Sequence, residues 1–145
     1  MISQIKALAK IHRARMVQIR RHLHKHPELS FEEYKTAEYV KVVLDDLGIV
    51  YKEGLGSGTG ITGVIGQGDR TIALRADMDA LPIQEESDVA YRSVHDGVMH
   101  ACGHDVHTAS LLGSLMILKS LEKDLGHKVK FISNLEKSNC RAEPP

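Results

Sequence analysis

Residues 108–121 read TASLLGSLMILKSL and are apolar enough to predict a largely buried helix. Gly126 closes this segment, since glycine commonly follows the end of a helix. Apolar residues at 129–132 then predict the start of a strand. A buried helix that leads directly into a strand is typical of a layered domain.

Further β-like runs lie before this helix, at residues 61–65 and 71–74, and we expect them to form a hairpin or adjacent strands. The glycine-rich segment 54–60 (GLGSGTG) precedes them. A phosphate loop would need a following Gly-Lys-Ser/Thr and the start of a helix, and neither is present. We therefore interpret 54–60 as a flexible strand connection in preference to a nucleotide site.

Two helices are predicted in the N-terminal third. Apolar residues recur every three to five positions over about residues 5–23, and the helix should stop just before Pro27. Ser30, followed three residues later by Glu33, is a capping-box pattern that predicts a second helix ending at Gly48. The first apolar stripe comprises Ile5, Leu8, Ile11, Met16, Ile19 and Leu23. The order helix, helix, strands, helix, strand predicts an α/β domain with helices packed on a sheet.

Composition excludes several classes of protein. The 145 residues suit one domain, and 19 basic against 19 acidic residues give no general attraction to nucleic acid or to a membrane surface. The charged N-terminus has no signal-peptide or membrane-spanning stretch, so we expect a cytoplasmic protein. Two cysteines, Cys102 and Cys140, make a disulfide framework implausible and leave a thiol free for metal binding or nucleophilic chemistry.

Metal-binding residue types are concentrated at residues 99–107, which read MHACGHDVH. Cys102 and His104 are separated only by Gly103, so an extended backbone would point both side chains the same way. Thiolate and imidazole bind a borderline-soft divalent ion at about 2.3 Å and about 2.0–2.1 Å, respectively. We expect Gly103 to permit close backbone approach.

A second polar cluster, RADMDALP at residues 75–82, lies where a β-run gives way to a loop. Active-site residues of α/β sheets occur at such edges. Asp77 could orient a metal-ligating histidine or bind a second metal. Taken alone, the aspartates are as well explained by a strand-end turn and the histidines by surface or capping roles, but together the two clusters favour a metal site.

Three ordered segments resemble one known family: RRHLHKHPELSFEEYKTAEYV at 20–40, ALRADMDALPIQEE at 73–86 and HDGVMHACGHDVHTASLLG at 95–113. They are similar to the amidohydrolase branch of the aminoacylase and carboxypeptidase superfamily, which includes hippurate hydrolases, auxin-conjugate hydrolases and N-acetyl-diaminopimelate deacetylases. The resemblance implies part of a metallopeptidase-type α/β catalytic domain with helices on a mixed sheet. It also implies a smaller lid domain, absent here, through which such proteins often form homodimers.

The resemblance also implies roles for individual residues. Cys102 and His104 match the first two ligands of a divalent metal, which would be Zn, Mn, Co or Ni. Asp77 matches the active-site aspartate, with the neighbouring Asp79 as the alternative. His107 and Asp105 are expected to be structural, with Asp105 capping the helix that follows. The implied reaction is hydrolysis of the amide bond of an N-acyl amino acid or a related peptide-like small molecule.

The C-terminal end departs from the family pattern. Residues 1–132 correspond to the N-terminal part of the catalytic domain, whereas 133–145 form an aberrant tail without the family's Glu-Glu pair, and Glu136 is offset from it. Suitable synonymous codons for 132–145, read in another frame, spell Phe-Gln-Pro-Gly-Glu-Glu-Gln-Leu-Pro-Gly-Gly-Ala, so we hypothesise a frameshift near Ile132. We also expect the missing part to leave an open sheet edge at 129–132.

Two hypotheses follow for the chain as written. In the first, the family function is metal-dependent amide hydrolysis, and this shortened chain is inactive. In the second, the chain is a non-catalytic fragment that binds a metal weakly through Cys102 and His104.

Overall fold

The computed structural model describes residues 1–56 and 58–133. The helices are α1 (Ile2–Lys25), α2 (Tyr34–Asp46) and α3 (His104–Ser120), with a short 3-10 helix at Glu122–Asp124. The strands are β1 (Tyr51–Leu55), β2 (Gly60–Ile65), β3 (Thr71–Ala76) and β4 (Lys128–Ser133). The predicted α/β class is confirmed, and each predicted helix and strand is present near its expected position. In the described part of the chain no helix has the length and hydrophobicity needed to cross a membrane.

The four strands form one mixed sheet in the order β1-β2-β4-β3. β1 and β2 are antiparallel, β2 and β4 are antiparallel, and β3 and β4 are parallel. The chain therefore passes from β3 through α3 to β4, as a parallel pair requires a crossover connection. This crossover places the loop after β3 and the start of α3 at the same edge of the sheet.

The strand order contradicts two expectations from the sequence. β2 and β3 are not neighbours, because β4 lies between them and pairs with both. For the same reason the open edge expected at 129–132 is wrong, since the outer strands are β1 and β3. On the outer strand β3, the residue Ile72 is 55% exposed. The segment 54–60 connects the antiparallel strands β1 and β2, as predicted.

The buried residues of α1 lie in its C-terminal half. Ile19 and Leu23 are buried, whereas Ile5 and Ile11 of the predicted stripe are 40% and 70% exposed. The helices α1 and α3 approach closely at Gly113, where a Cβ would overlap the sulfur of Met16. Glycine at this position therefore allows the two helices to pack together.

α2 begins at Tyr34, and its start does not use the predicted capping box. Glu33 is fully buried and accepts a hydrogen bond from the Thr59 hydroxyl at 3.0 Å. Glu28 binds the amides of the first turn. Its carboxylate accepts hydrogen bonds from the N–H groups of Lys35 at 3.2 Å and Thr36 at 2.8 Å. The capping acceptor therefore comes from the preceding loop, which a local sequence pattern cannot show. Gly48, with φ +61°, follows the helix as predicted.

The core lies between the helices and the sheet. Its fully buried side chains include Leu112 and Leu115 from α3, Leu44 from α2 and Phe131 from β4. α3 is hence buried largely as its apolar sequence predicts.

Candidate metal centre

The Cys102–His104 segment leads directly into α3, whose first residue is His104. Gly103 is the N-cap, with a left-handed backbone at φ +94° and ψ 15°, so the expected extended backbone is wrong. A Cβ at Gly103 would meet nothing within 4 Å. Glycine is therefore suited to this position by its backbone conformation, and not by close approach of another group.

His104 is held by one ring nitrogen. Its Nδ1 lies 2.9 Å from the backbone oxygen of Asp79 and 2.9 Å from the Asp79 carboxylate. Both oxygens are acceptors, so Nδ1 carries a proton, and the tautomer that this favours has its lone pair on Nε2. The side chains of His104 and Asp79 are 13% and 6% exposed. A histidine oriented in this way is prepared to bind a metal through Nε2.

Asp77 has different partners. Its carboxylate accepts hydrogen bonds from Arg75 Nη2 at 2.8 Å and Nε at 3.2 Å. Its backbone oxygen accepts from the Thr108 hydroxyl at 3.0 Å, which ties the end of β3 to α3. The carboxylate that touches His104 thus belongs to Asp79, the alternative left open by the sequence, and the role of Asp77 in the active site stays a prediction.

Cys102 is exposed and is a free thiol. The thiol of Cys102 and Nε2 of His104 are the donors that this segment offers, and sulfur with imidazole nitrogen suits zinc or cobalt. Within residues 1–56 and 58–133, no group of three or more His, Cys, Asp or Glu side chains is arranged to hold a metal ion. The donor types fit a divalent metal, but the described residues supply only part of a coordination shell. Glu136, Cys140 and the tail from 134 onward lie outside the described residues.

Asp105 does not cap α3, because Gly103 occupies that position. The Asp105 side chain is 1% exposed and forms ion pairs with Arg20 Nε at 2.9 Å and His24 Nδ1 at 2.8 Å. The other nitrogen of His24, Nε2, lies 3.0 Å from Glu85. His107 is exposed, and its ring centroid lies 5.8 Å from that of His104. Asp105 is therefore structural, as expected, but by linking α3 to α1.

Glu85 is buried in this network. Burial acts to raise the pKa of Glu85, but hydrogen bonds from Ser87, Ser93 and His24 outweigh it and lower that pKa to about 2. The Ser93 N–H donates to Glu85 at 2.6 Å. Glu85 is consequently a carboxylate whose ionised form the fold favours.

The sequence interpretation missed Arg20, His24 and Glu85. The spacing of Arg20 and His24 by four residues places them on one face of α1, beside the buried residues Ile19 and Leu23. Polar residues at such positions are ordinary in an amphipathic helix, so the sequence carried no specific signal for these contacts.

Known proteins similar to this chain include hydrolases and peptidases. Residues 73–136 match the model of Peptidase family M20/M25/M40. A probable hydrolase of Synechocystis is 48% identical over 132 residues, covering 89% of this chain and 33% of the relative. Thermostable carboxypeptidase 2 of Saccharolobus solfataricus is 51% identical over 112 residues, covering 76% of this chain and 28% of the relative.

The fold is also found in a solved structure. A Bacillus subtilis protein described as a dinuclear metal binding peptidase from the M20 family superposes with a TM-score of 0.79 and 42% identity. The match covers 88% of this chain and 35% of the other. The chain thus spans about a third of the length of the proteins it matches.

Proposed function

Because residues 73–136 match the model of Peptidase family M20/M25/M40, we propose that this chain belongs to that family and represents the N-terminal part of a metal-dependent hydrolase. The proposed substrate is an N-acyl amino acid or a similar peptide-like amide, and the proposed products are an amino acid and a carboxylic acid. We place the protein in the cytoplasm and propose that the whole protein dimerises through a further domain.

The observation that carries the proposal is the contact between Asp79 and His104. It fixes the proton on Nδ1 of His104 and leaves Nε2 to bind a metal, two residues after the exposed thiol of Cys102. Both groups lie where the loop after β3 meets the start of α3. We assign Cys102 and His104 as metal ligands and Asp79 as the residue that orients His104.

When bound, a Zn, Mn, Co or Ni ion supplies a Lewis acid that polarises the amide carbonyl and makes water acidic near neutral pH. The backbone oxygen of Asp79 accepts a hydrogen bond from Nδ1 of His104, and the Asp79 carboxylate lies 2.9 Å from the same nitrogen, so both favour the ligating tautomer. Cys102 contributes a thiolate, whose charge strengthens binding of a divalent ion. The general base and the remaining ligands belong, by the family resemblance, to sequence that follows residue 133.

A second candidate is favoured by one observation: the described residues contain no set of three metal ligands. On this account the 145-residue chain binds a metal weakly and does not turn over substrate. Catalytic groups that act as a unit lose most of their effect when some are removed. We therefore expect the family activity only from a longer protein.

The first test uses the 145-residue chain and zinc, in competition with a chromogenic chelator. We expect weak binding that Cys102→Ser removes. His127→Ala is the matched control, because His127 is exposed and precedes β4 at the opposite edge of the sheet. Equal binding by the Cys102→Ser variant would contradict the assignment of Cys102.

The second test addresses the whole enzyme. The encoding DNA is sequenced, and the protein is extended through the alternative frame and assayed with N-acetyl and N-benzoyl amino acids and with peptide substrates. We expect hydrolysis that chelators abolish and that needs both Cys102 and His104. Cleavage of peptides alone would reject the proposed substrate class, and turnover by the verified 145-residue chain would reject our account of the missing groups.

A further inference from the structure

Next to the candidate metal centre lies a buried ionic cluster that the proposed chemistry does not use. We call it the α1 anchor: Arg20 and His24 from α1, Glu85 from the loop after β3, and Asp105 from α3. His24, Glu85 and Asp105 are 5%, 3% and 1% exposed. The contacts from His24 join positions 81 and 61 residues apart, to Asp105 and Glu85 respectively. The anchor therefore fixes three separate segments to one another.

His24 bridges two carboxylates. Its Nδ1 lies 2.8 Å from Asp105 and its Nε2 lies 3.0 Å from Glu85. A carboxylate only accepts hydrogen bonds, so each ring nitrogen of His24 faces an acceptor, and Arg20 Nη2 also lies 3.3 Å from Nδ1. Well-packed apolar residues would stabilise a core as well as or better than such a buried ionic group. We therefore explain the cluster by a need to hold these three segments in one arrangement, and not by stability alone.

The α1 anchor holds the first turn of α3 in place. Asp105 directly follows His104, and the two side chains are held from different directions. Asp79 binds the ring of His104, while Arg20 and His24 bind the carboxylate of Asp105. Rotation or fraying of this turn would move Nε2 of His104, and the two contacts together oppose that motion.

We propose that His24 and Arg20 are positioning residues of the metal centre, acting through Asp105 on the orientation of His104. The proposal rests on the proposed function, in which His104 is a metal ligand. Glu85 has a different role. Its contact with His24 connects the loop after β3 to α1, and none of the contacts given above joins Glu85 to α3.

Two substitutions of His24 separate its contact with Asp105 from its contact with Glu85. In His24→Asn the side-chain amide lies near the position of Nδ1 and can still donate to Asp105. In His24→Gln the amide reaches towards the position of Nε2 and can donate to Glu85. Glu85→Gln removes the loop carboxylate while leaving the contact with Asp105 intact. The two His24 variants each replace the same ring by an amide and keep one of its two bonds, so they are matched.

The experiment titrates the 145-residue chain and its variants with cobalt(II) alone and follows the thiolate-to-cobalt absorption of Cys102. Loss of a partner that orients a ligand typically weakens metal affinity about 10–100-fold, so we expect about a tenfold loss for His24→Gln. His24→Asn and Glu85→Gln should stay within about threefold of the original chain. Thermal unfolding of each variant is recorded in parallel.

A second readout needs no metal. Nitrogen-15 NMR reports which ring nitrogen of His104 is protonated, and we expect the Nδ1–H form in the original chain and in His24→Asn. In His24→Gln we expect a mixture of the two tautomers. If His24→Gln does not fold, Arg20→Lys takes its place, since it keeps the charge but loses the Nε contact with Asp105 and should give the same pattern.

The outcomes distinguish the two proposals. Equal affinities and equal tautomers in the Asn and Gln variants, or affinity losses that simply follow the melting temperatures, overturn the positioning role. If the original chain binds no cobalt, the metal site of the proposed function fails. In that case the tautomer of His104 alone decides whether the anchor positions it.

Discussion

Two histidines of this chain, His104 and His24, each contact a buried carboxylate through Nδ1, yet they differ in the second nitrogen. His104 binds Asp79 through Nδ1, which leaves Nε2 available as a ligand. His24 uses Nδ1 for Asp105 and Nε2 for Glu85. The comparison shows that the number of protein partners, and not the residue type, separates a candidate ligand from a structural group.

The largest expected effect concerns stability. His24→Ala leaves the buried carboxylates of Glu85 and Asp105 without the partner that they share, which should lower the free energy of unfolding by about 3–5 kcal/mol. His104→Ala removes a group that has one carboxylate partner, and should cost about 1 kcal/mol. Urea denaturation measures both values. Equal losses in the two variants would remove the distinction between these histidines.

The second prediction concerns pH. The pKa of Glu85 in the folded state, about 2, lies below its ordinary value of 4.5, so folding favours the ionised carboxylate. Its contribution to stability is complete above about pH 4.5 and is lost as the pH falls towards about 2. Unfolding measured between pH 6 and pH 2 should show this loss, and Glu85→Gln should be less sensitive within that window. An identical pH dependence in the variant would contradict the ionised bridge.

The third prediction separates the two aspartates. Asp79→Asn should weaken cobalt binding about tenfold, because it removes the carboxylate charge that lies 2.9 Å from Nδ1 of His104. Asp77→Asn should change the affinity by less than about twofold, since Asp77 binds Arg75. Spectroscopic titration of both variants decides the matter. The reverse order would restore Asp77 as the residue that supports the metal ligand.

The smallest expected effect lies at the start of α2. Glu28→Ala removes the acceptor for two first-turn amides and should lower the free energy of unfolding by about 1 kcal/mol. Ser30→Ala should change it by less than about 0.5 kcal/mol, because Ser30 is not the N-cap of the helix. A larger loss for Ser30→Ala in thermal or urea unfolding would reinstate the capping box.

The sequence by itself determined the helices, the strands and the segment that carries Cys102 and His104. These features depend on local periodicity and on residue types only a few positions apart, which the chain displays without folding. Near Gly103 the local pattern did not predict the backbone conformation, since neighbouring residues do not reveal that α3 begins at His104.

Only the tertiary structure decided which groups meet. The insertion of β4 between β2 and β3, the contact of Asp79 with His104 and the bridge from His24 to Asp105 all join positions far apart in the chain. Such pairings depend on how the helices and strands pack as a whole. Asp77 and Asp79 have the same side chain and lie two residues apart, so no local rule distinguishes them; the packing of the loop after β3 against α3 places Asp79 beside His104 and Asp77 beside Arg75.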